Sequence, residues 1–302
     1  TVINPVKRCI MSFISYLKDG ISLGSIYAII ALGYTMVYGI AKMLNFAHGD
    51  VLMMGAYFGL LSYTIWKIPF WIAIMVAMVI CALLGVLIDK VAYKPLRQAP
   101  RISALITALG VSMFLENIFR VIFGAEPRKM PTPDFLNHTI EIGSISISYV
   151  MILTVTLSVI CMAALQWMVQ STKTGKAMRA ISEDLEAAKL MGVNVDRVIS
   201  ITFAIGSALA ALGGVLYSIS YYQAEPYMGM MPGLKAFVAA VLGGIGILPG
   251  AMLGGFALGL VENIAKAWIS SSWANAISFS ILILILLIKP AGILGKAVKE
   301  KV

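Results

Sequence analysis

Side chains able to do chemistry are scarce in this chain, and the informative ones fall in four clusters. The first is Glu183, Asp184, Glu186, Ala187, Ala188 and Gly192, within the polar segment 172–198. Asp184 and Glu186 precede Lys189, so opposite charges are available at close helical spacing. The second is NFAHGD, which places Asn45, His48 and Asp50 between two apolar runs. Such a segment is either a broken helix lining or gating a pathway, or a turn in which Asn45 and Asp50 cap helix ends. The third is Glu116, Asn117 and Arg120, and the fourth Glu262, Asn263 and Lys266. In both, the opposite charges are four residues apart on one helix face, as an internal ion pair or the wall of a hydrated path requires.

None of these clusters reads as a catalytic or metal centre. The two histidines, His48 and His138, are far apart, and no HExxH or GxSxG motif occurs. Cys9, Cys81 and Cys161 have neither zinc spacing nor a disulfide framework. No GxxxxGK[ST] phosphate loop is present, and the glycines of GGIGILPGAMLGG lack the lysine and lie in an apolar run.

These clusters must be positioned by elements built for lipid. Of the 302 residues, 60% are hydrophobic and 12% charged, and the mean hydropathy is +0.92. A soluble domain carries about 25% charged residues, so the composition predicts an all-α, polytopic membrane bundle. Uncharged runs at 20–41, 68–88, 142–172, 198–222, 236–261 and 267–288 reach or approach the length a spanning helix needs. The run 51–66 is short, and 102–123 contains the third cluster. That makes about eight segments, and eight to ten if the glycines and Pro249 at 243–250 divide the stretch 234–268 into two helices. The first run is followed by further membrane segments, so no cleavable signal peptide is expected. Gly20/Gly24, Gly250/Gly254 and Gly255/Gly259 have GxxxG spacing, and Ala204, Ala208 and Ala211 share one face, as close helix contact in lipid requires.

The net charge of +9 would suggest nucleic acid in a soluble protein, but here it follows from basic cytoplasmic loops. Residues 90–101 hold four Lys or Arg and no acid, 173–197 five basic and four acidic residues, and 289–302 four Lys and one Glu. The positive-inside rule puts these three inside, and 124–148 and 220–235 outside. The side of the N-terminus is left open. Counting back from residue 90 puts it outside, whereas Lys7, Arg8 and Lys18 favour inside, with 5–18 as an interfacial helix.

The segment 172–198 is the only long polar stretch on the cytoplasmic side. Met178, Ile181, Leu185 and Ala188 recur at three- and four-residue spacing, which predicts a short helix with one apolar face, and Gly192 follows as its C-cap. That face needs cover. The acid-rich SEDLE sequence disfavours a membrane surface and favours a groove on a cytoplasmic partner.

At this point the sequence resembles the permeases of ATP-binding-cassette (ABC) importers, whose coupling loop carries an EAA-type segment ending in glycine, here Glu186, Ala187, Ala188 and Gly192. More narrowly it resembles the LivH-type permeases of bacterial high-affinity branched-chain amino acid importers. The likeness runs through LGSIYAIIALGYTMVYGI at 23–40, NFAHGD at 45–50, VAYKPLR at 91–97, RAISEDLEAAKLMGVNVDRVI at 179–199, GLKAF at 233–237, AAVLGGIGILPGAMLGG at 239–255 and KPAGILG at 289–295.

The resemblance implies a single transmembrane permease domain, 1–302, with a coupling loop at about 172–198, in the bacterial inner membrane. It implies a second homologous permease, two cytoplasmic ATPase subunits carrying ATP and Mg, and an extracytoplasmic amino-acid-binding protein. It implies no cofactor or enzymatic activity on this chain. Glu183, Asp184 and the EAA residues would contact the ATPase. Asn45, His48, Asp50, Glu116 and Asn117 are pathway or gating candidates, and Tyr221, Tyr222 and Glu225 candidates for contact with the binding protein. Urea or short-chain amide permeases, other amino acid permeases and, from a different class, ion-coupled secondary transporters remain the alternatives.

Overall fold

The computed structural model describes residues 5–97, 99–142, 145–289 and 291–295. Its helices are α1 (Pro5–Ala41), α2 (His48–Thr64), α3 (Phe70–Ile88), α4 (Arg101–Phe123), α5 (Tyr149–Ser171), α6 (Lys173–Glu183), α7 (Leu185–Leu190), α8 (Val195–Tyr221), α9 (Met230–Gly243), α10 (Leu248–Trp268) and α11 (Ala274–Ile288). Among the described residues six segments, carried by α1, α3 with the turns that continue it to Leu96, α4, α5, α8 and α10, are long and apolar enough to cross a membrane. The shorter α2, α9 and α11 complete the bundle, in keeping with eight to ten segments.

Small residues set the packing. Gly20 and Gly24 of α1 face Gly259, Leu260 and Phe256 of α10, where a Cβ on Gly24 would lie 2.8 Å from the Phe256 Cα. A Cβ on Gly255 would lie 2.5 Å from the Ala28 Cα. Gly55 of α2 packs on Ala211 of α8, and Gly254 of α10 on Ala239 of α9. The GxxxG faces are thus filled within the chain. Around this centre α3, α4 and α5 leave broad apolar faces uncovered, including Leu83, Ile106 and Val121, as suits lipid. The turn between α9 and α10 follows the glycines: Gly244 and Gly246 have positive φ, and the segment after α11 covers the end of α9, with Ile293 and Leu294 donating to Leu242 and Gly243 carbonyls. Those carbonyls have no partner within their own helix.

Part of the run 142–172 is not helical. The short strands β2 (Thr139–Ile142) and β3 (Ile145–Ser148) pair as a hairpin before α5. The alternation in ISIS fits a strand better than a helix face. β1 (Arg128–Lys129) pairs with β4 (Gln223–Ala224), tying the 124–148 loop to the exit of α8.

The start of α1 lies on the same face as the β2–β3 hairpin. Residues 5–18 do not form a separate interfacial helix, because α1 runs unbroken from Pro5 to Ala41. Lys18 Nζ donates to the Ser146 carbonyl of the hairpin at 2.8 Å. With the basic loops inside, that hairpin is outside, and α1 enters from the extracytoplasmic face. On this assignment loops 90–101 and 173–197 outweigh the basic residues near the N-terminus. A cysteine replacing Asp19, whose side chain is half exposed, is expected to react with a membrane-impermeant maleimide in intact cells. Reaction only after permeabilisation would reverse this topology.

Candidate functional site

The cytoplasmic loop folds as two helices rather than one. Thr172 caps α6, its hydroxyl accepting from Gly175 N at 3.0 Å. Asp184 takes an extended conformation, breaks the helix and caps α7, accepting from Ala187 N at 3.0 Å. Asp184 is therefore a structural cap as well as an acidic group. The break moves Leu185 off the buried face. Met178, Ile181 and Ala188 are buried, whereas Leu185 is exposed. The chain itself covers the apolar face: Gly175 lies against the Met168 and Val169 backbone of α5. The expectation that a partner groove covers that face is thus corrected.

A different surface is left for a partner. Glu183, Glu186 and Ala187 are exposed. Beside them stand Leu190 and Met191, 88% and 84% exposed, at the tip of the loop. Gly192, with φ +83°, turns the chain toward α8, and Asn194 caps α8 by accepting from Arg197 N at 3.0 Å. Gly192 is exposed with no heavy atom near where a Cβ would stand, so its positive φ, not crowding, requires glycine.

Asn45, His48 and Asp50 are all buried. Neither Asn45 nor Asp50 caps a helix end: Ala47 occupies the N-cap of α2 without a side-chain bond. Instead the Tyr93 hydroxyl donates to Asn45 Oδ1 at 2.9 Å. His48 packs on Tyr34 with ring centroids 4.4 Å apart. Asn45, His48 and Tyr34 line a void of about 10 Å³, close to the space one water needs. In the first turn of α2, beside Asp50, Gly49 meets Gly229 and Gly233, and a Cβ on Gly233 would lie 2.8 Å from the Gly49 Cα.

In the third cluster the expected ion pair between Glu116 and Arg120 does not form. Arg120 Nη1 donates to the Tyr227 hydroxyl at 3.0 Å, while Glu116 lies beside Asp50. Tertiary partners compete successfully with an i,i+4 contact worth about 0.2–0.5 kcal/mol. Asn117 faces outward and donates to the Met113 carbonyl at 2.7 Å.

The fourth cluster is richer than its spacing implied. Glu262, 2% exposed, accepts from Lys266 and from Lys235 of α9, both at 2.7 Å, and from the Tyr27 hydroxyl of α1 at 2.9 Å. It joins α1, α9 and α10. Lys235 lies not in an outer loop spanning 220–235 but on α9, which begins at Met230. The GLKAF block was the available signal.

Tyr221 and Tyr222 are exposed at the outer end of α8 and Glu225 half-buried beyond it. The two tyrosines border an outward cavity of about 380 Å³ shared with Asp19, Ser22, His138 and Asn263. Among the described residues no three His, Cys, Asp or Glu side chains are grouped to hold a metal ion.

A bundle of apolar helices around buried polar joints, with a structured cytoplasmic loop, is the architecture of a multi-pass membrane permease. The family model described as branched-chain amino acid transport system / permease component matches residues 16–286. The high-affinity branched-chain amino acid transport system permease protein LivH of Escherichia coli (strain K12) is 42% identical over 303 residues, covering 96% of this chain and 98% of that protein. Its counterpart BraD of Pseudomonas aeruginosa is 38% identical over 304 residues, covering 97% and 99%. A probable branched-chain amino acid transport permease protein LivH of Methanocaldococcus jannaschii is 26% identical over 295 residues, covering 92% and 91%. The chain belongs to the branched-chain amino acid permease family and is an ABC importer permease subunit of the cytoplasmic membrane.

The Glu262 joint generates a stability prediction. Removing one partner of a buried pair costs about 3–5 kcal/mol, because the other charge is stranded. Glu262→Gln is expected to destabilise the purified protein by about 3 kcal/mol, and adding Lys235→Met should recover much of that loss. Denaturant unfolding in detergent measures both; equal losses in the single and double variants would show that no stranded charge is responsible.

Proposed function

We propose that this chain carries branched-chain amino acids (Leu, Ile and Val) into the cytoplasm as one of two related permeases. In this reading two separate ATPase subunits, which hold ATP and Mg, drive it, and an extracytoplasmic amino-acid-binding protein supplies the cargo. The similarity along nearly the whole chain to LivH of E. coli carries this reading. This chain itself hydrolyses nothing and needs no cofactor.

The site residues then take distinct roles. Glu183, Glu186 and Ala187, with Leu185, Leu190 and Met191, present the surface that an ATPase grips. Asp184, Ala188 and Gly192 hold that surface in shape as cap, buried anchor and turn. Asn45, His48, Asp50, Glu116 and Asn117 belong to the pathway or its gate. Tyr221, Tyr222 and Glu225 face the binding protein. Few charges suit a path for an apolar side chain. Tight binding within the permease would slow release, so affinity resides in the binding protein.

Uptake of labelled leucine and labelled urea into vesicles carrying the whole complex tests the cargo. Leucine should accumulate in an ATP-dependent way and urea should not; urea uptake without leucine uptake would refute the assignment. Replacing Leu190 and Met191 together by Asp tests the drive. The protein should reach the membrane in normal amount while substrate-stimulated ATP hydrolysis falls about tenfold or more, the effect of losing about 1.4 kcal/mol of contact. Undiminished stimulation would remove the loop tip from the ATPase contact.

A further inference from the structure

Two sets of polar contacts, one beside the cytoplasmic loop and one at the buried 45–50 segment, meet at the two ends of an unusual turn. Just beyond Gly192, Asp196 lies in the first turn of α8. Its carboxylate accepts from Arg97 Nη1 and, at 2.7 Å, from Lys94 Nζ. Arg97 Nη2 reaches inward to Asp89 at 2.7 Å, and Asp89, fully buried, also accepts from the Ser200 hydroxyl at 2.5 Å. Asp89 opens a single π-helical turn, Asp89–Tyr93, that continues α3 into the basic loop. At its far end Tyr93, fully buried, packs on Phe203 with ring centroids 5.2 Å apart and donates its hydroxyl to Asn45. The Asn45 carbonyl in turn accepts from His48 N at 3.2 Å, at the start of α2.

Two features set this arrangement apart from ordinary packing. A buried carboxylate is costly unless its partners are well placed, and here they come from two other segments, Arg97 and α8. A π turn carries one residue more than an α-helical turn. It can relax by shifting the hydrogen-bond register, and such turns recur at functional sites. A register shift between Asp89 and Tyr93 would rotate Tyr93 against Asn45.

We infer that the π turn Asp89–Tyr93 is the relay by which movement of the cytoplasmic loop reaches the 45–50 segment. The inference rests on the reading that ATPase subunits act on that loop. Asp196, Arg97 and Asp89 form the arm that receives the movement, and Tyr93 with Asn45 the arm that delivers it. These are positioning residues; none is required to touch the cargo.

The test uses the complete complex reconstituted in vesicles. Two mild variants are chosen to preserve the fold: Tyr93→Phe keeps the ring on Phe203, and Asp196→Asn is made at a half-exposed side chain. ATP hydrolysis stimulated by loaded binding protein and the amount of leucine imported per ATP are measured together. Both variants should hydrolyse ATP at near the parent rate yet import about fivefold less leucine per ATP, as loss of one hydrogen bond of ordinary worth implies. Tyr93→Phe combined with Asn45→Ala should be no worse than the more impaired single variant, because both cut one link. Unchanged import per ATP, or import and hydrolysis falling in parallel, would overturn the relay. The Leu190→Asp, Met191→Asp chain serves as control. If its hydrolysis stays fully stimulated, the loop-tip reading fails and the relay with it; if stimulation is lost there while Tyr93→Phe and Asp196→Asn import normally, only the relay fails.

Discussion

The contact on which this architecture depends is that between the α1 and α10 backbones at Gly20, Gly24, Gly255 and Gly259. In lipid, an apolar side chain gains little by leaving acyl chains for another helix, so association relies on close packing and on polar contacts between helices. Missing side chains let the two backbones meet. The same device joins α2 to α8 through Gly55 and Ala211, and α9 to α10 through Gly254 and Ala239. Small residues therefore mark the closest helix contacts, large side chains such as Ile29, Leu52, Phe203 and Leu216 are buried around them, and many large side chains of α3, α4 and α5 face outward.

Close backbones bring polar groups together as well. Glu262 joins α1, α9 and α10, and Asp89 joins the end of α3 to α8 and the basic loop. Both carboxylates are buried and each meets at least one cation. Neither junction requires an aqueous path, since every charge at it has a partner within the chain. The segment at Asn45, His48 and Asp50 is less fully paired, although Arg97 Nε at the Asp89 junction also lacks a partner. His48 Nε2 and Asp50 Oδ2 are buried without hydrogen-bond partners, a costly state that fits a part of the molecule that rearranges better than one that only holds others in place.

Much of this was readable from residue types. Gly243, Gly244, Gly246 and Pro249 announced the turn between α9 and α10, because glycine tolerates positive φ and proline suits the first turn of a new helix. The spacing of Met178, Ile181 and Ala188 announced a buried face, and Gly192 its end. What periodicity could not show was where a competing cap would win. Asp184 satisfies the start of a second helix, so Leu185 faces outward although its spacing fits the buried stripe. Spacing also predicted a pair between Glu116 and Arg120, but Tyr227 and Asp50 lie elsewhere in the chain and leave no local mark. Lys235 was hidden for the same reason: its partner Glu262 is on another helix. The N-terminal side escaped because a few basic residues on the outer flank imitate an inside signal.

The central claim is that a chain with no phosphate loop of its own receives its driving force at the tip of the 172–194 loop. A photo-crosslinking residue placed at Met191, which points away from the rest of the chain, tests this most directly. In the assembled complex, illumination should join this subunit to the ATPase subunit, with a yield that changes between the nucleotide-free and ATP-bound states. Crosslinking only to lipid or to the second permease, in a complex shown to contain the ATPase, would contradict the account.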